Sequence, residues 1–190
     1  MPRPTREQID DEILETAASL FARHGFKETS VQRIADAVGY SKTGLLHRYP
    51  SKEALQEAVL GRCLGEVHAV AAGVADRPPG PGRDRAALTG VAQLAMRRPG
   101  SVALLLSGLI GEPDDEIAGA LHAIGCATFE AFALDPEADP ARMLRVTGAL
   151  GALAFARVAL RAKLPDDAML AYLIELSYDA LGHPRPAATH

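Results

Sequence analysis

The sequence contains no tryptophan, two cysteines and few aromatic residues, and each shortage excludes a class of protein. Aromatic residues make up 5% of the 190 residues. The core must therefore consist mostly of alanine, leucine and valine, which suits closely packed helices. Cys63 and Cys126 have no metal-ligand spacing and lie in apolar stretches. This predicts reduced, buried thiols in a cytosolic protein and argues against a disulfide scaffold.

Long apolar runs are missing as well. The most apolar stretch, residues 102–110, is too short to span a bilayer, and the polar N-terminus has no signal-peptide pattern. We therefore expect a cytoplasmic protein without a membrane segment.

An excess of positive charge is also absent from the whole chain, whose net charge is −4. Its distribution is uneven: residues 16–52 contain 6 Lys and Arg against 2 Asp and Glu, whereas residues 53–190 contain 12 against 17. The first segment is thus +4 and the second −5. This pattern favours a basic N-terminal headpiece that is attracted to phosphate, on an acidic body.

Motifs for enzymatic chemistry are lacking too. The six histidines show no metal-ligand spacing, and the sequence has no nucleophile elbow, phosphate loop or dinucleotide fingerprint. We therefore expect no catalytic residues, no cofactor and no metal site.

Helical patterns fill the chain, without alternating strand patterns or hairpin dipeptides. Thr5 and Gln8 form a capping-box pair ahead of a first helix that ends at His24-Gly25, and Thr29 and Gln32 form another pair ahead of a second helix. Ser51 is placed to cap a long fourth helix. After a proline- and glycine-rich loop, further helices are predicted at about 84–97, 100–111, 114–134, 138–163 and 166–181.

Residues 30–49 predict two short helices joined by a tight turn. Ala35 supplies a small residue on the first helix, and Gly39 follows its apolar face, where a left-handed residue commonly ends a helix. Ser41 can cap the next helix, on which Leu45 is an apolar anchor. A helix-turn-helix of the DNA-binding kind has this arrangement.

These motifs resemble the headpiece of the tetracycline-repressor (TetR) family of transcriptional regulators over about residues 6–60. The first half of the resemblance consists of Gly25-Phe26, Thr29-Ser30 and the Ile-Ala-x-x-x-Gly pattern from Ile34 to Gly39. The recognition helix and its exit match through Ser41, Lys42, Leu45, Tyr49, Ser51, Lys52, Glu53 and Leu55.

The resemblance implies both a fold and partners. It implies an all-α chain with a three-helix helix-turn-helix domain at 1–50 and a larger helical ligand-binding and dimerisation domain at 51–190. It further implies a homodimeric regulator, most often a repressor, that binds double-stranded operator DNA and responds to a small-molecule effector. Leu46 stands where the family usually has a phosphate-contacting tyrosine, which leaves His47 or Arg48 to supply that contact.

Candidate base contacts lie in the first turn of the third helix. Lys42 can donate to guanine, and Thr43 can contact a thymine methyl group; the alternative for Lys42 is an ordinary solvated lysine. Gly44 either lets the helix backbone approach DNA closely or is a tolerated glycine without a function. The other candidate DNA contacts are Thr29, Tyr40, Ser41, His47, Arg48 and Lys52. As an alternative, these residues could serve as helix caps, packed aromatic residues or ordinary surface side chains.

The last two helices predict a subunit interface. Between Val146 and Leu160 the chain is apolar nearly all round, so this helix must be covered on both sides. Small residues recur every fourth position and would let another helix approach closely. The predicted interface residues are Gly148, Ala152, Phe155, Ala156, Leu170, Leu173 and Ile174, and the alternative is that both helices form the core of one subunit.

Helices four to seven are the predicted walls of an effector cavity. The candidate lining residues are Cys63, Val67, Leu104, Leu105, Leu121, His122, Cys126 and Phe129. His122 is the polar group of interest, and the alternative is a closed core with His122 at the surface. The rival for the whole chain is a ligand-binding or enzymatic helical bundle that does not bind DNA.

Overall fold

The computed structural model describes residues 5–110, 115–135, 137–160 and 165–183, and these ranges fold into nine α-helices without strands. The predicted all-α class is therefore confirmed. None of the described helices is long and apolar enough to cross a membrane. The helices are α1 (Arg6–His24), α2 (Val31–Ala37), α3 (Lys42–Arg48), α4 (Lys52–Val74), α5 (Pro81–Arg97), α6 (Pro99–Ile110), α7 (Asp115–Ala131), α8 (Pro140–Ala159) and α9 (Asp166–Ala180).

Side-chain caps define the N-termini of α1 and α4, as the sequence predicts. The Thr5 amide donates to Gln8 Oε1 at 2.8 Å, and the Gln8 amide donates to Thr5 Oγ1 at 3.2 Å. This reciprocal capping box satisfies two amides that the first turn leaves without partners. At the start of α4, Ser51 Oγ accepts from the Ala54 amide at 3.0 Å.

The turn between α2 and α3 is a Schellman motif. Gly39 has φ of 72°, the Tyr40 amide donates to the Ala35 carbonyl at 2.8 Å, and the Gly39 amide donates to the Asp36 carbonyl at 3.3 Å. A residue with a side chain is strained at this φ, so glycine is required for the turn. The predicted helix-turn-helix is confirmed, with Ile34, Ala35 and Leu45 completely buried.

The contacts divide the chain into two compact units, and the functional division at residue 50 stays a prediction. The first unit contains residues 1–65 and 98–124, and the second contains 66–97 and 125–190. In the first unit, α6 packs so closely on α1 that a Cβ at Gly100 would lie 2.6 Å from the Glu15 carbonyl oxygen. Such a long-range contact joins α6 to the headpiece and leaves no mark on the local sequence pattern.

Ionic groups also connect α1, α4 and α6 in the first unit. Arg62 donates through Nη2 to Glu15 Oε2 and to Ser101 Oγ, both at 3.1 Å. It also donates through Nη1 to the Asp11 carbonyl at 3.1 Å, and Arg98 pairs with the Asp11 carboxylate at 3.0 Å. The guanidinium of Arg62 thus holds three helices together around the core of the headpiece.

The second unit has a separate core, in which Phe132, Leu88, Val146 and Ala149 are completely buried. Cys126 in this unit is exposed, so its predicted burial is wrong, whereas Cys63 is buried as predicted. On α7 the buried side chains are Ile124, Ala127 and Ala131. Cys126 lies off that stripe, because its position on the helix turns it away from the face that packs.

Candidate nucleic-acid interface and partner surfaces

The first turn of α3 presents the two predicted base contacts to solvent. Ser41 is the N-cap, as predicted, and its Oγ accepts from the Gly44 amide at 3.0 Å. Lys42 and Thr43 follow and are both exposed. Leu45, later in the same helix, is completely buried. The short helix is therefore held by one face while its N-terminal side chains stay free.

The cap of α3 gives a structural reason for glycine at position 44. A Cβ at this position would lie 3.1 Å from Ser41 Oγ, which is closer than most side-chain contacts in proteins. A larger residue would therefore disturb the capping hydroxyl. The close packing at the cap is a reason for glycine that the sequence did not reveal.

Thr29, a candidate DNA contact, is turned into the protein. It is completely buried, and its hydroxyl donates to the Gly25 carbonyl at 2.7 Å. Its side chain is therefore not available to a phosphate. The predicted capping box with Gln32 is also wrong, because Ser30 is the N-cap of α2 and accepts from the Arg33 amide at 3.1 Å.

A groove of about 340 Å³ lies between the turn after α1, the start of α2 and the first residues of α3 and α4. Three cations line it: Lys27, Lys42 and Lys52. Lys27 is exposed and was not among the predicted contacts. Lys27 comes close to Lys42 and Lys52 only because of the way the helices pack. The sequence around Lys27 therefore gave no indication that it belongs to this cluster.

Lys52 reaches the groove while bound to the turn after α1. Its Nζ donates to the carbonyls of Phe26 at 2.8 Å and Lys27 at 3.2 Å, and lies 4.3 Å from the centre of the Phe26 ring. An ammonium group has three donors, so one remains after these two hydrogen bonds. Lys52 thus stabilises the turn after α1 through two hydrogen bonds and has one N–H donor left that can bind an anion.

Arg48, proposed as a replacement phosphate contact, is held by α1 instead. Its Nη1 donates to the Asp10 carboxylate in a short ion pair. Burial and then the Asp10 charge raise the pKa of the neighbouring Tyr49, so its hydroxyl is protonated at neutral pH. Both side chains fix the end of α3 against α1, and the charge of Arg48 is paired with Asp10 in this arrangement. His47 is exposed and Tyr40 is half-buried.

The predicted interface residues on α8 and α9 divide into exposed and buried positions. Phe155 is 69% exposed, whereas Leu173 is 1% exposed and belongs to the subunit core. Leu173 is therefore wrong as an interface residue, since the inward face of α9 packs within the second unit. Gly148 is exposed, and the remaining candidates are half-buried: Ala152, Ala156, Leu170 and Ile174.

The predicted effector-cavity residues belong to different compact units. The first unit contains Cys63, Leu104, Leu105, Leu121 and His122, and the second contains Val67, Cys126 and Phe129. Leu104 packs on the core of the first unit and Phe129 on that of the second. His122 is exposed, which agrees with the alternative that places it at the surface. A shared cavity stays a prediction.

Clusters suited to a metal ion are absent from the part of the chain that the structure describes: no three His, Cys, Asp or Glu side chains come together there. The polar groups around α3 include the ammonium groups of Lys27, Lys42 and Lys52 and hydroxyls, beside the Glu28 carboxylate and the Gln32 amide. The ammonium groups and hydroxyls are donors to phosphate oxygens and base edges.

Comparison with known proteins agrees with this geometry. The sequence model for bacterial regulatory proteins of the tetR family matches residues 13–59. The regulator RutR of Escherichia coli K12 is 48% identical over 52 residues, which are 27% of this chain and 24% of that protein. The repressor KstR2 of Mycolicibacterium smegmatis is 46% identical over 50 residues, 26% of this chain and 24% of that protein. The chain thus matches about a quarter of the length of these curated relatives.

Similarity of the fold extends further than similarity of the sequence. A TetR-family regulator from Bordetella parapertussis superposes with a TM-score of 0.66 over 91% of this chain and 95% of its own, at 23% identity. The sequence match thus comes from the headpiece, and the remaining helices share the family's architecture. The headpiece therefore matches the helix-turn-helix domain of the tetR family of bacterial regulatory proteins, and the described helices share the fold of a solved TetR-family regulator.

Proposed function

We propose that the protein is a homodimeric transcriptional regulator, a repressor, that reads operator DNA with the first turn of α3. The observation that carries this proposal is the exposure of Lys42 and Thr43 beside the Ser41 cap, on a helix anchored through the buried Leu45. In helix-turn-helix complexes this end of the second helix enters the major groove. The proposal that the regulator is a repressor is supported by the KstR2 relatives, which are named as transcriptional repressors.

Phosphate contacts are proposed for the groove beside α3. Lys27 and Lys52 lie on its wall with Lys42, and the Ser30 hydroxyl and the first amides of α2 border it. Cations and helix N-termini are common partners of backbone phosphates. These groups would set the orientation of the headpiece, and Lys42 and Thr43 would read the sequence.

Dimerisation is proposed through α8 and α9. The large apolar side chains that are exposed in the described ranges all lie on these helices or directly after α8: Leu144, Phe155, Leu160, Tyr172 and Leu176. An apolar surface of this kind is typical of a subunit interface. A symmetric dimer would carry two headpieces for two half-sites of an operator.

An effector is proposed to act through the helices that follow the headpiece. It must bind the DNA-competent and DNA-incompetent states unequally in order to shift their populations. Because its proposed partner is operator DNA, the protein is expected to act in the cytoplasm and without catalysis.

Selection of binding sites from random duplexes, followed by mobility-shift titration, tests this function. Lys42→Ala and Thr43→Ala should each weaken specific binding by about 1–3 kcal/mol and alter the preferred bases. Arg97→Ala, at an exposed position of α5, is the control and should bind as the wild type does. A wild-type protein that enriches no sequence would refute the regulator and favour a helical bundle without DNA binding.

A further inference from the structure

Arg157 is a charged residue on the inward face of α8. The buried side chains of this helix are Val146, Ala149, Leu153 and Arg157, at intervals of three, four and four residues. These intervals place all four on one face. The first three are apolar, as expected for a packed face, but the fourth is a guanidinium that is 8% exposed.

The hydrogen bonds of Arg157 leave its charge without a counterion. Its Nη2 donates to the Met96 carbonyl at 3.4 Å, a long contact, and its buried Nε has no partner. Within the described ranges Arg157 forms no ion pair. Met96 is next to the last residue of α5, so the negative end of that helix dipole offsets the charge in part. Isolated charges are strongly unfavourable in a protein interior.

Other enclosed arginines in the described ranges have shorter hydrogen bonds or ion pairs. Arg62 pairs with Glu15 at 3.1 Å, and Arg142 pairs with Asp84 at 2.8 Å. Arg83 donates to the Ala131 carbonyl at 2.9 Å and to the Glu130 carbonyl at 2.8 Å. Arg157 differs from them in donating a single, long hydrogen bond within the described ranges, while its buried Nε, like the Nε of Arg62, has no partner.

We propose that Arg157 recognises an oxyanion, a carboxylate or phosphate group, carried by the effector and bound between the ends of α5 and α8. This rests on the proposed effector-responsive function and names the chemistry of the effector. α8 ends at Ala159, two residues beyond Arg157, and Leu160 is 40% exposed, so Arg157 lies within one helical turn of an exposed residue. Ala95 and Leu153 are buried apolar residues on the same two helices, so the guanidinium of Arg157 belongs to a side chain with apolar neighbours along the chain.

Binding of small probes to the full-length protein tests the proposal without DNA. Benzoate and inorganic phosphate are titrated at constant ionic strength against chloride, and benzamide serves as the uncharged counterpart of benzoate. Binding is followed by the thermal midpoint and by the NMR signal of the Arg157 Nε–H, which is assigned from its loss in Arg157→Lys. We expect both anions to raise the midpoint of the wild type and to shift this signal, and benzamide to do neither.

Arg157→Met keeps the length of the side chain and removes its charge, and Arg97→Met is the control on the exposed side of α5. The Kd for benzoate should rise about tenfold or more in Arg157→Met, because a charge-assisted hydrogen bond is lost, and should stay unchanged in Arg97→Met. Without anions, Arg157→Met should unfold at the same temperature as the wild type or higher.

Two results would overturn the proposal. One is that neither anion shifts the Nε–H signal of the folded wild type. The other is that Arg157→Met binds benzoate as the wild type does or, without anions, unfolds at a clearly lower temperature, which would make the guanidinium a structural cap of α5. Operator binding takes no part in these measurements, so failure of the regulator function would be seen separately.

Discussion

Arg142 holds the completely buried carboxylate of Asp84 with two hydrogen bonds. Nη2 donates to Oδ1 at 2.8 Å and Nη1 donates to Oδ2 at 3.1 Å. His183 Nε2 lies 2.7 Å from Oδ2, and Arg142 also donates to the Phe132 carbonyl at 2.9 Å. One buried acid on α5 thus joins the start of α8, the end of α7 and the segment after α9 in the second unit.

Arg142→Met should destabilise the protein by about 3 kcal/mol, because it leaves a buried carboxylate without its main partner. His183 remains beside Asp84 and limits the loss. Urea unfolding, followed by circular dichroism, measures it. The double variant Asp84→Leu, Arg142→Met removes both charges and should recover most of the stability, and a double variant no more stable than Arg142→Met would argue against this account.

Thr29→Val should lower stability and leave DNA recognition intact. The change keeps the shape of the side chain, but the Gly25 carbonyl loses the hydroxyl that donates to it at 2.7 Å. The loss of such a hydrogen bond costs about 0.5–1.5 kcal/mol. The free energy of unfolding and the operator affinity of the folded fraction should both be measured. A loss of affinity without a loss of stability would restore Thr29 as a direct DNA contact.

The helix-turn-helix could be predicted because its signals are local. Gly39 ends α2 by its backbone conformation, and Ser41 caps α3 through the amide three residues later. Spacing in the sequence shows both. The assignment of Thr29 as a cap failed because Thr29 and Ser30 are both capable of capping, and the choice depends on the Gly25 carbonyl, which draws the Thr29 hydroxyl inward.

Functional charges were harder to predict, because their partners are distant in sequence. Arg48 is paired with Asp10, 38 residues away, and Lys52 is bound to the Phe26 carbonyl, 26 residues away. No periodic pattern records such contacts. The same limit applies to Arg157, which is one of many arginines in the sequence and is distinctive only through its burial without an ion pair.

Phe155→Glu should convert a dimer into monomers. Phe155 is 69% exposed, so the charge does not enter the core of the subunit, but at the proposed interface it would be buried without a partner. Light scattering at micromolar concentration gives the mass, and circular dichroism checks the fold. Gln93→Glu, at an exposed position of α5, adds the same charge as a control. A monomeric wild type, or a variant that stays dimeric, would contradict the proposed interface.

Lys27→Ala should weaken binding to operator and random duplexes alike, since Lys27 is proposed to contact phosphate. If a dimer neutralises about 6–8 phosphates, the logarithm of the wild-type affinity should fall with the logarithm of salt concentration at a slope of about −5 to −7. Removing one lysine from each subunit should make this slope shallower by about 2. Fluorescence anisotropy at several salt concentrations measures both effects, and Arg97→Ala tests the general influence of lost charge. An unchanged slope in Lys27→Ala would place that side chain away from the DNA and leave Lys52 as the cation of the groove that meets phosphate.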